Sequence, residues 1–203
     1  MTLLALRTFI KTRYRVTSDE LDSLINSMIN DQYQRLAKLR KWKQLIVKNA
    51  TLTTAQDVLN YDLPEDFWCF MPNSVRYNYI SQQLPGTELY VVSGDEVGVW
   101  RQSCQTLAPL VCAVQAGTTA PKAMTLLPLF YEYGKTILYD YRKIPVALTA
   151  DGDETIVDEL DMAIAWSALK DLAIWHDKFD QAQVFDKQFR DEWRTAFQTL
   201  TNN

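Results

Sequence analysis

The fold is decided first by residues 17–43, TSDELDSLINSMINDQYQRLAKLRKWK. Thr17-Ser-Asp-Glu20 has the pattern of a capping box, in which the Thr17 hydroxyl accepts the Glu20 amide and the Glu20 carboxylate accepts the Thr17 amide. Apolar side chains then recur at the three-and-four spacing of one buried helical stripe, at Leu21, Leu24, Ile25, Met28, Ile29, Tyr33 and Leu36. We therefore predict a long amphipathic helix that begins at Thr17, preceded by a shorter helix over residues 3–12.

Residues 45–149 have a different texture, because β-branched and aromatic residues occur in short runs that Pro, Gly and Asn interrupt. Such runs predict strands connected by turns. The predicted strands are 45–53, 66–71, 74–80, 87–92, 97–101, 107–115, 123–127 and 135–142. We expect them to form a small antiparallel β-domain.

After Pro145 the apolar pattern becomes helical again and predicts an antiparallel helix pair over residues 155–199. Asp153 is the predicted N-cap of the first of these helices. The order of elements predicts an α+β fold, in which a helical bundle of N-terminal helices plus a C-terminal antiparallel helix pair is interrupted by a small antiparallel β-domain. The bundle comprises residues 1–44 and 150–203, and the β-rich insertion comprises residues 45–149.

Composition and charge limit the class of protein. Hydrophobic residues make up 47% of the 203 residues and charged residues 23%, which is typical of globular proteins and excludes disordered and fibrous chains. Residues 1–48 hold 10 Lys and Arg against 4 Asp and Glu, a balance of +6, whereas residues 49–203 hold 11 against 21, a balance of -10. This asymmetry favours head-to-tail association of identical subunits or contact with nucleic acid, although a solvated helix face produces the same count.

The sequence lacks the patterns of membrane insertion and export. No apolar stretch approaches the roughly 20 residues of a membrane-spanning helix. The first residues, Met1–Arg7, have no basic region before their short apolar segment, as a signal peptide would. We expect a protein that is neither exported nor bound to a membrane.

Residues that could perform chemistry are sparse. The one histidine, His176, excludes multi-histidine metal sites and leaves a single candidate for a Ser-His or Cys-His pair. Six glycines form neither a P-loop nor a dinucleotide-binding fingerprint. Cys69, Cys104 and Cys112 lack metal-ligand spacing, and we interpret them as reduced core residues. We predict no catalytic, cofactor or metal site, and therefore not an enzyme.

Two further features are interpreted as structural. Residues 151–161 contain six carboxylates and no base, and their spacing does not match a calcium-binding EF-hand loop. A solvated or intersubunit charged surface is expected there. Trp42 lies among Arg40, Lys41 and Lys43, but a single-stranded nucleic-acid platform needs several aromatic side chains. We predict that Trp42 packs at the junction between the helix and the β-domain.

Several segments, taken in order, resemble the head-to-tail adaptor proteins of tailed phages, including the tail tubular protein A type of short-tailed phages. The matching segments are Ile25-Asn26 to Tyr33 leading to Trp42, Tyr61-Asp-Leu-Pro-Glu-Asp-Phe67, Ile137-Leu-Tyr-Asp-Tyr-Arg-Lys-Ile-Pro145, and Leu148-Thr-Ala-Asp-Gly-Asp-Glu154 with the helix near Ile156. They extend over residues 20–200, although residues 80–130 contribute no matching motif.

The resemblance implies a structural subunit of the virion. Similar proteins form a ring, typically dodecameric, that docks under the portal protein and receives the tail or nozzle protein below. Their helical bundle packs against neighbouring subunits, their β-domain faces the tail, and the genomic DNA passes through the central channel without sequence-specific contact. The expected location is the head-tail interface of the virion, which is assembled in the cytoplasm of the bacterial host.

A ring requires contact between two different surfaces of neighbouring subunits. We hypothesise that the basic end of the first long helix meets the acidic start of the C-terminal helix pair on the next subunit. The basic residues are Arg35, Lys38 and Lys41, and the acidic residues are Asp151, Asp153, Asp158 and Glu159.

Three alternatives remain open at this point. The β-domain could bind a host-surface carbohydrate through stacking on Trp68, Tyr77, Tyr79 and Trp100. The chain could be a small hydrolase that uses His176. It could also be another neck protein, such as a stopper or a tail terminator.

Overall fold

The computed structural model describes residues 1–55, 58–78, 87–103, 111–115, 122–127, 134 and 136–201. The helices within these ranges are α1 Leu3–Tyr14, α2 Asp22–Leu39, α3 Val97–Ser103, α4 Asp161–Trp175 and α5 Phe179–Thr201. The strands are β1 Ile46–Thr53, β2 Asn60–Asp62, β3 Phe67–Phe70, β4 Arg76–Asn78, β5 Thr87–Glu88, β6 Tyr90–Ser93, β7 Val111–Gln115, β8 Ala123–Leu127 and β9 Thr136–Lys143. The expected α+β class is confirmed.

The chain divides into two compact units. Met1–Leu45 and Ile144–Asn203 form the helical unit, and Ile46–Lys143 form the β unit. The units therefore change over at residues 45/46 and 143/144, compared with the boundaries at 44/45 and 149/150 that the sequence suggested.

Helix α4 is the central element of the helical unit and packs against α1, α2 and α5. Small side chains on α4 allow this close approach, with Ala163, Ala165, Ala168 and Ala173 all buried. The apolar stripe predicted for α2 is confirmed at the positions that are fully buried, Ile25, Ile29, Tyr33 and Leu36. Burial of each large apolar side chain contributes roughly 1.5–3 kcal/mol, so this core stabilises the helical unit.

The start of α2 differs from the prediction in its capping residue. Ser18, not Thr17, is the N-cap, and its Oγ accepts a hydrogen bond from the Glu20 amide at 3.2 Å. A 3₁₀ turn over Asp19–Leu21 then leads into α2. Because a 3₁₀ turn is tighter than an α-helical turn, the capping side chain binds the amide two residues later and not three. The predicted Thr17 capping box is therefore wrong.

The start of the C-terminal helix pair also differs. The Oδ2 atom of Asp153 accepts hydrogen bonds from the amides of Thr149 at 2.7 Å and Ala150 at 2.8 Å. This carboxylate therefore holds the turn before it and is not the N-cap of α4, so that prediction is wrong. Helix α4 begins only at Asp161, after a 3₁₀ turn over Asp158–Leu160.

The β unit contains two sheets. The first has the order β1-β9-β4-β5, with β3 also paired to β9, and the second has the order β2-β8-β7-β6. Strand β9 pairs with β1 along one edge and with β3 and β4 along the other. Strands β6 and β7 are parallel, with Tyr90 beside Val111, so the expectation of purely antiparallel strands is wrong for this pair.

One predicted strand is a helix. Residues 97–101 belong to α3, although they are rich in β-branched and aromatic residues. A capping box explains the difference, because the Ser93 side chain accepts a hydrogen bond from the Asp95 amide and the Glu96 carboxylate accepts one from the Ser93 amide.

Strand β2 was not predicted at all. Parts of three predicted strands, 79–80, 107–110 and 135, lie outside the described residues.

The cysteines do not share one environment. Cys112 is fully buried in the core of the β unit, and burial raises the pKa of its thiol to about 12. Cys69 on β3 is exposed, so the prediction that it is a core residue is wrong. Cys104 lies outside the described residues.

Candidate interaction surfaces

The predicted basic set lies on the outer face of α2 and just beyond its end. Tyr33, Leu36 and Ala37 face the core, which leaves Arg35 and Lys38 exposed. Lys41 is also exposed. Helical periodicity therefore places Arg35 and Lys38 on the solvent side of the helical unit.

Two members of the predicted acidic set hold their own segment in place. The Oδ1 atom of Asp151 lies 2.8 Å from the Arg7 guanidinium of α1. Asp153 accepts the hydrogen bonds from the Thr149 and Ala150 amides, and these bonds lower the pKa of its carboxyl. The backbone of this segment also accepts the Leu3 amide through the Asp153 carbonyl at 2.8 Å. These contacts anchor the acidic segment against the start of α1.

The other two acidic residues lie beside α2. The Tyr33 hydroxyl of α2 accepts a hydrogen bond from the Ile156 amide at 2.8 Å. Gln44 donates to the Glu159 carboxylate at 3.1 Å. Asp158, between these two contacts along the chain, is exposed. The acidic segment therefore lies on the side of α2 that carries Tyr33, whereas Arg35 and Lys38 lie on the outer face of the same helix.

Exposed apolar side chains also occur in the helical unit. Leu39 at the end of α2 is 60% exposed, and Val146 is 74% exposed. Ile156, whose amide contacts α2, is 36% exposed. Sequence analysis did not select these residues. An apolar residue in a loop, such as Val146 directly after Pro145, could have indicated an exposed apolar side chain.

A second group of exposed apolar residues lies at the turn between α4 and α5. Ile174, Trp175 and Phe179 are 45%, 55% and 60% exposed. Ile174 and Phe179 line a groove of about 520 Å³ between the two helices. This hairpin tip was likewise absent from the sequence-based set.

His176 follows α4 directly, as the sequence predicted. Its backbone amide donates to the Leu172 carbonyl at 3.2 Å, and its ring stacks on Tyr14 with 5.3 Å between centroids. Within the described residues, no group of three His, Cys, Asp or Glu side chains could hold a metal ion.

Trp42 is fully buried, and its ring lies 6.2 Å from the Trp193 ring of α5. Its side chain therefore packs inside the helical unit.

The carbohydrate alternative concerns the β unit. Trp68 is half-buried in a groove of about 700 Å³ between β3 and β6, and the Arg142 guanidinium lies 4.2 Å from its ring centroid. Because Arg142 covers one face of the ring, at most one face of Trp68 can stack on a sugar. Trp100 is also half-buried, on α3, and Tyr79 lies outside the described residues.

Comparison with known proteins assigns the chain to a family. The model of the SU10 adaptor protein family matches residues 1–202, which include both the helical unit and the β unit. No curated protein matches the sequence. None of the helices in the described ranges is long and apolar enough to cross a membrane.

Proposed function

Because the chain belongs to the SU10 adaptor protein family, and so has a structural adaptor role in a phage, we propose that it is a head-to-tail adaptor subunit. In this proposal, copies of the chain form a ring, dodecameric as in the proteins it resembles, between the portal protein and the tail or nozzle protein. Genomic DNA passes through the channel of the ring without sequence-specific contact. The protein is structural and not an enzyme, and it joins the virion neck during assembly in the host cytoplasm.

The observation that carries this proposal is the extent of the family match. Because the match covers residues 1–202, it includes the helices, both sheets and the segments that connect the two units. An adaptor needs separate surfaces for its neighbours, for the portal and for the tail. The charged surface beside α2 and the apolar hairpin tip supply two candidate contact regions on the helical unit.

The test is assembly with the portal protein of the same phage genome. Light scattering should give a large complex when the two proteins are mixed, and electron microscopy of that complex should show this chain as a ring against the portal. Absence of any complex with the portal would contradict the adaptor assignment. A ring that binds only on the far side of another neck protein would instead support the stopper or tail-terminator alternative.

We also propose that contacts between copies join Arg35, Lys38 and Lys41 of one subunit to the acidic set of another. Asp158 is exposed and has no side-chain partner in the described part of the chain, whereas Asp151, Asp153 and Glu159 have partners in their own chain. Reversing Lys38 and Lys41 together, as K38E/K41E, should weaken ring assembly, and the defect should depend on salt because exposed charges are screened. Unchanged assembly of this variant would remove the contact from the proposal.

The carbohydrate alternative has its own experiment. If the chain is only an adaptor, it should bind no glycan on a glycan array. Binding to a glycan, lost in Trp68→Ala and retained in Trp175→Ala, would favour the alternative.

A further inference from the structure

The segment before α4 presents an apolar side chain between two carboxylates. Burial alternates along this segment, because Thr155 and Val157 are buried. The exposed side chains between and beside them are Glu154, Ile156 and Asp158, which we call the acidic ridge. In the part of the chain that the structure describes, neither carboxylate of the ridge has a hydrogen-bond or ion-pair partner.

The groove of about 520 Å³ between α4 and α5 has the complementary character. Its apolar wall is formed by Ile174, Phe179 and Ala182. Water covers much of this wall, since Ile174 is 45% and Phe179 60% exposed. The charged residues that line the groove are three cations and one carboxylate, Lys170, Lys187, Arg190 and Asp186. The groove therefore combines apolar area with an excess of positive charge.

The positive charge of the groove is only partly neutralised by its own carboxylate. Asp186 is shared, because its oxygens lie 3.2 Å from the Lys170 ammonium and 2.7 Å from the Arg190 guanidinium. Lys187 is exposed and has no ion-pair partner among the described residues. A ligand that fits the groove therefore has carboxylates on either side of an apolar side chain.

The acidic ridge cannot fill the groove of its own chain. Ile156 precedes the first residue of α4, Asp161, whereas Ile174 lies thirteen residues after Asp161. At 1.5 Å per residue this separation is about 20 Å along the helix axis. The ridge and the apolar wall of the groove thus lie towards opposite ends of α4, and they can meet only between two molecules.

We propose that the acidic ridge of one copy of this chain docks into the α4–α5 groove of the next copy. Ile156 then contacts the apolar wall, and the carboxylates of Glu154 and Asp158 lie beside the cations. An apolar centre with a charged rim is the usual composition of a protein interface. Because the contact joins two different surfaces, each copy binds one neighbour through its ridge and another through its groove. Such a head-to-tail contact closes into a ring where the rotation between copies fits.

This inference rests on the proposed ring and names a contact that builds it. Glu154, Ile156 and the whole groove lie outside the charge contact with the cations of α2 that is proposed above. Asp158 belongs to both contacts, so they compete for this residue. Separate variants of the groove and of α2 distinguish them.

Chemical cross-linking tests whether the two surfaces meet. I156C places a thiol on the ridge and Q183C places one in the groove, where Gln183 is exposed; both are made together with C69S and C104S. A short bismaleimide should join an equal mixture of the two variants into a species of twice 23.5 kDa. Each variant alone should give little product. The matched control is V184C, because Val184 is 59% exposed on α5 but does not line the groove, and its mixture with I156C should also give little product.

Sedimentation velocity of the full chain at about 0.1 M salt measures the strength of the contact. I156D should associate about tenfold more weakly, because it removes the apolar centre and adds a charge. Its control is V146D, which makes the same change at a 74% exposed position outside both surfaces and should associate like the unchanged protein. If I156D and V146D associate equally, the ridge is not the contact and the proposal is overturned.

Charge reversal tests the pairing between ridge and groove. E154K and K187E should each associate about threefold more weakly, and their mixture should recover a dimer because the two reversed charges are complementary. K38E/K41E changes only the cations of α2 and should leave the cross-link between positions 156 and 183 intact. A cross-link that is lost in K38E/K41E and kept in K187E would overturn the groove contact.

The cross-linking is carried out on the free chain and on its mixture with the portal protein. No cross-link between positions 156 and 183 in either sample would overturn the contact. A ring on the portal without this cross-link would do the same and leave the adaptor function intact. A cross-link in the free chain without portal binding would support the contact and contradict the adaptor function.

Discussion

Asn30 provides a sharp test of how the helical unit is held together, because its side-chain amide pairs with the backbone of Leu148. The Nδ2 group of Asn30 donates to the Leu148 carbonyl at 2.9 Å, and its Oδ1 atom accepts the Leu148 amide at 2.7 Å. Leu148 is 5% exposed and lies where the chain returns from the β unit to the helical unit. One side chain on α2 thus satisfies both polar groups of a buried backbone position.

Asn30→Ala would leave both backbone groups of Leu148 without these partners. Each buried polar group that loses its hydrogen bond costs about 1–3 kcal/mol. Since Asn30 itself is only half-buried, water can reach part of the vacated space, and we expect a loss of about 2–4 kcal/mol in the free energy of unfolding. For a chain of this length the thermal midpoint should fall by about 10 °C.

Urea denaturation followed by far-ultraviolet circular dichroism measures this loss. Asn26→Ala is the matched control one turn earlier on α2, because within the described ranges the Asn26 side chain has only a long contact of 3.5 Å with Arg7, and it should cost less than about 1 kcal/mol. Asn30→Asp keeps the acceptor but places a carboxylate against the Leu148 carbonyl. Compared with the unchanged protein at the same pH, that variant should lose less stability below about pH 4, where the acid is protonated and can donate, than at neutral pH.

A loss of under about 0.5 kcal/mol in Asn30→Ala would refute the reasoning, given that surface substitutions commonly produce changes of that size. The same conclusion would follow if Asn26→Ala and Asn30→Ala were equally destabilised. In either case the apolar core alone would hold the segment around Leu148 against α2. The two hydrogen bonds of Asn30 would then contribute little to stability.

Three further outcomes are expected. Burial raises the pKa of Tyr141 to about 12, so its neutral form stabilises the fold fully below about pH 10, and this contribution is lost as the pH rises towards 12; Tyr141→Phe should reduce the decline in stability across that window in urea titrations at stepped pH. Iodoacetamide should label exposed Cys69 in the folded protein, and peptide mass mapping should detect label on buried Cys112 only after unfolding; label on Cys112 in the folded protein would contradict its burial. Trp42→Ala should cost about 3–5 kcal/mol because the side chain is fully buried, whereas Trp175→Ala, at a 55% exposed position, should cost under about 1 kcal/mol in the same denaturation assay; equal losses would contradict the assigned environments.

Sequence reasoning succeeded where structure depends on local periodicity. The stripe from Ile25 to Leu36 identified α2, and the apolar pattern after Pro145 identified the pair α4 and α5. The strand predicted at 123–127 coincides with β8. It failed where two local signals competed, as at residues 97–101, where the capping box from Ser93 to Glu96 starts a helix in spite of the β-branched residues that follow.

The candidate surface was only partly foreseeable. Charge counting selected the cations of α2 and the carboxylates of residues 151–159, but it treated all four carboxylates as equivalent. The structure separates them, because Asp151 pairs with Arg7 and Asp153 holds a turn, whereas Asp158 remains exposed without a partner in the described part of the chain. Arg7 lies more than a hundred residues before Asp151 in the sequence. No short sequence pattern can indicate a partner at that distance.

The sequence by itself therefore determined the α+β class, the four main helices and the charges that are available for contact, since periodicity and composition are properties of neighbouring residues. Tertiary structure alone decided that β6 and β7 run parallel, that Trp42 packs against Trp193 of α5, and that the acidic segment lies against α2. These features depend on which distant segments bury each other's apolar faces and satisfy each other's backbone groups. That pairing is a property of the whole chain and of no single segment.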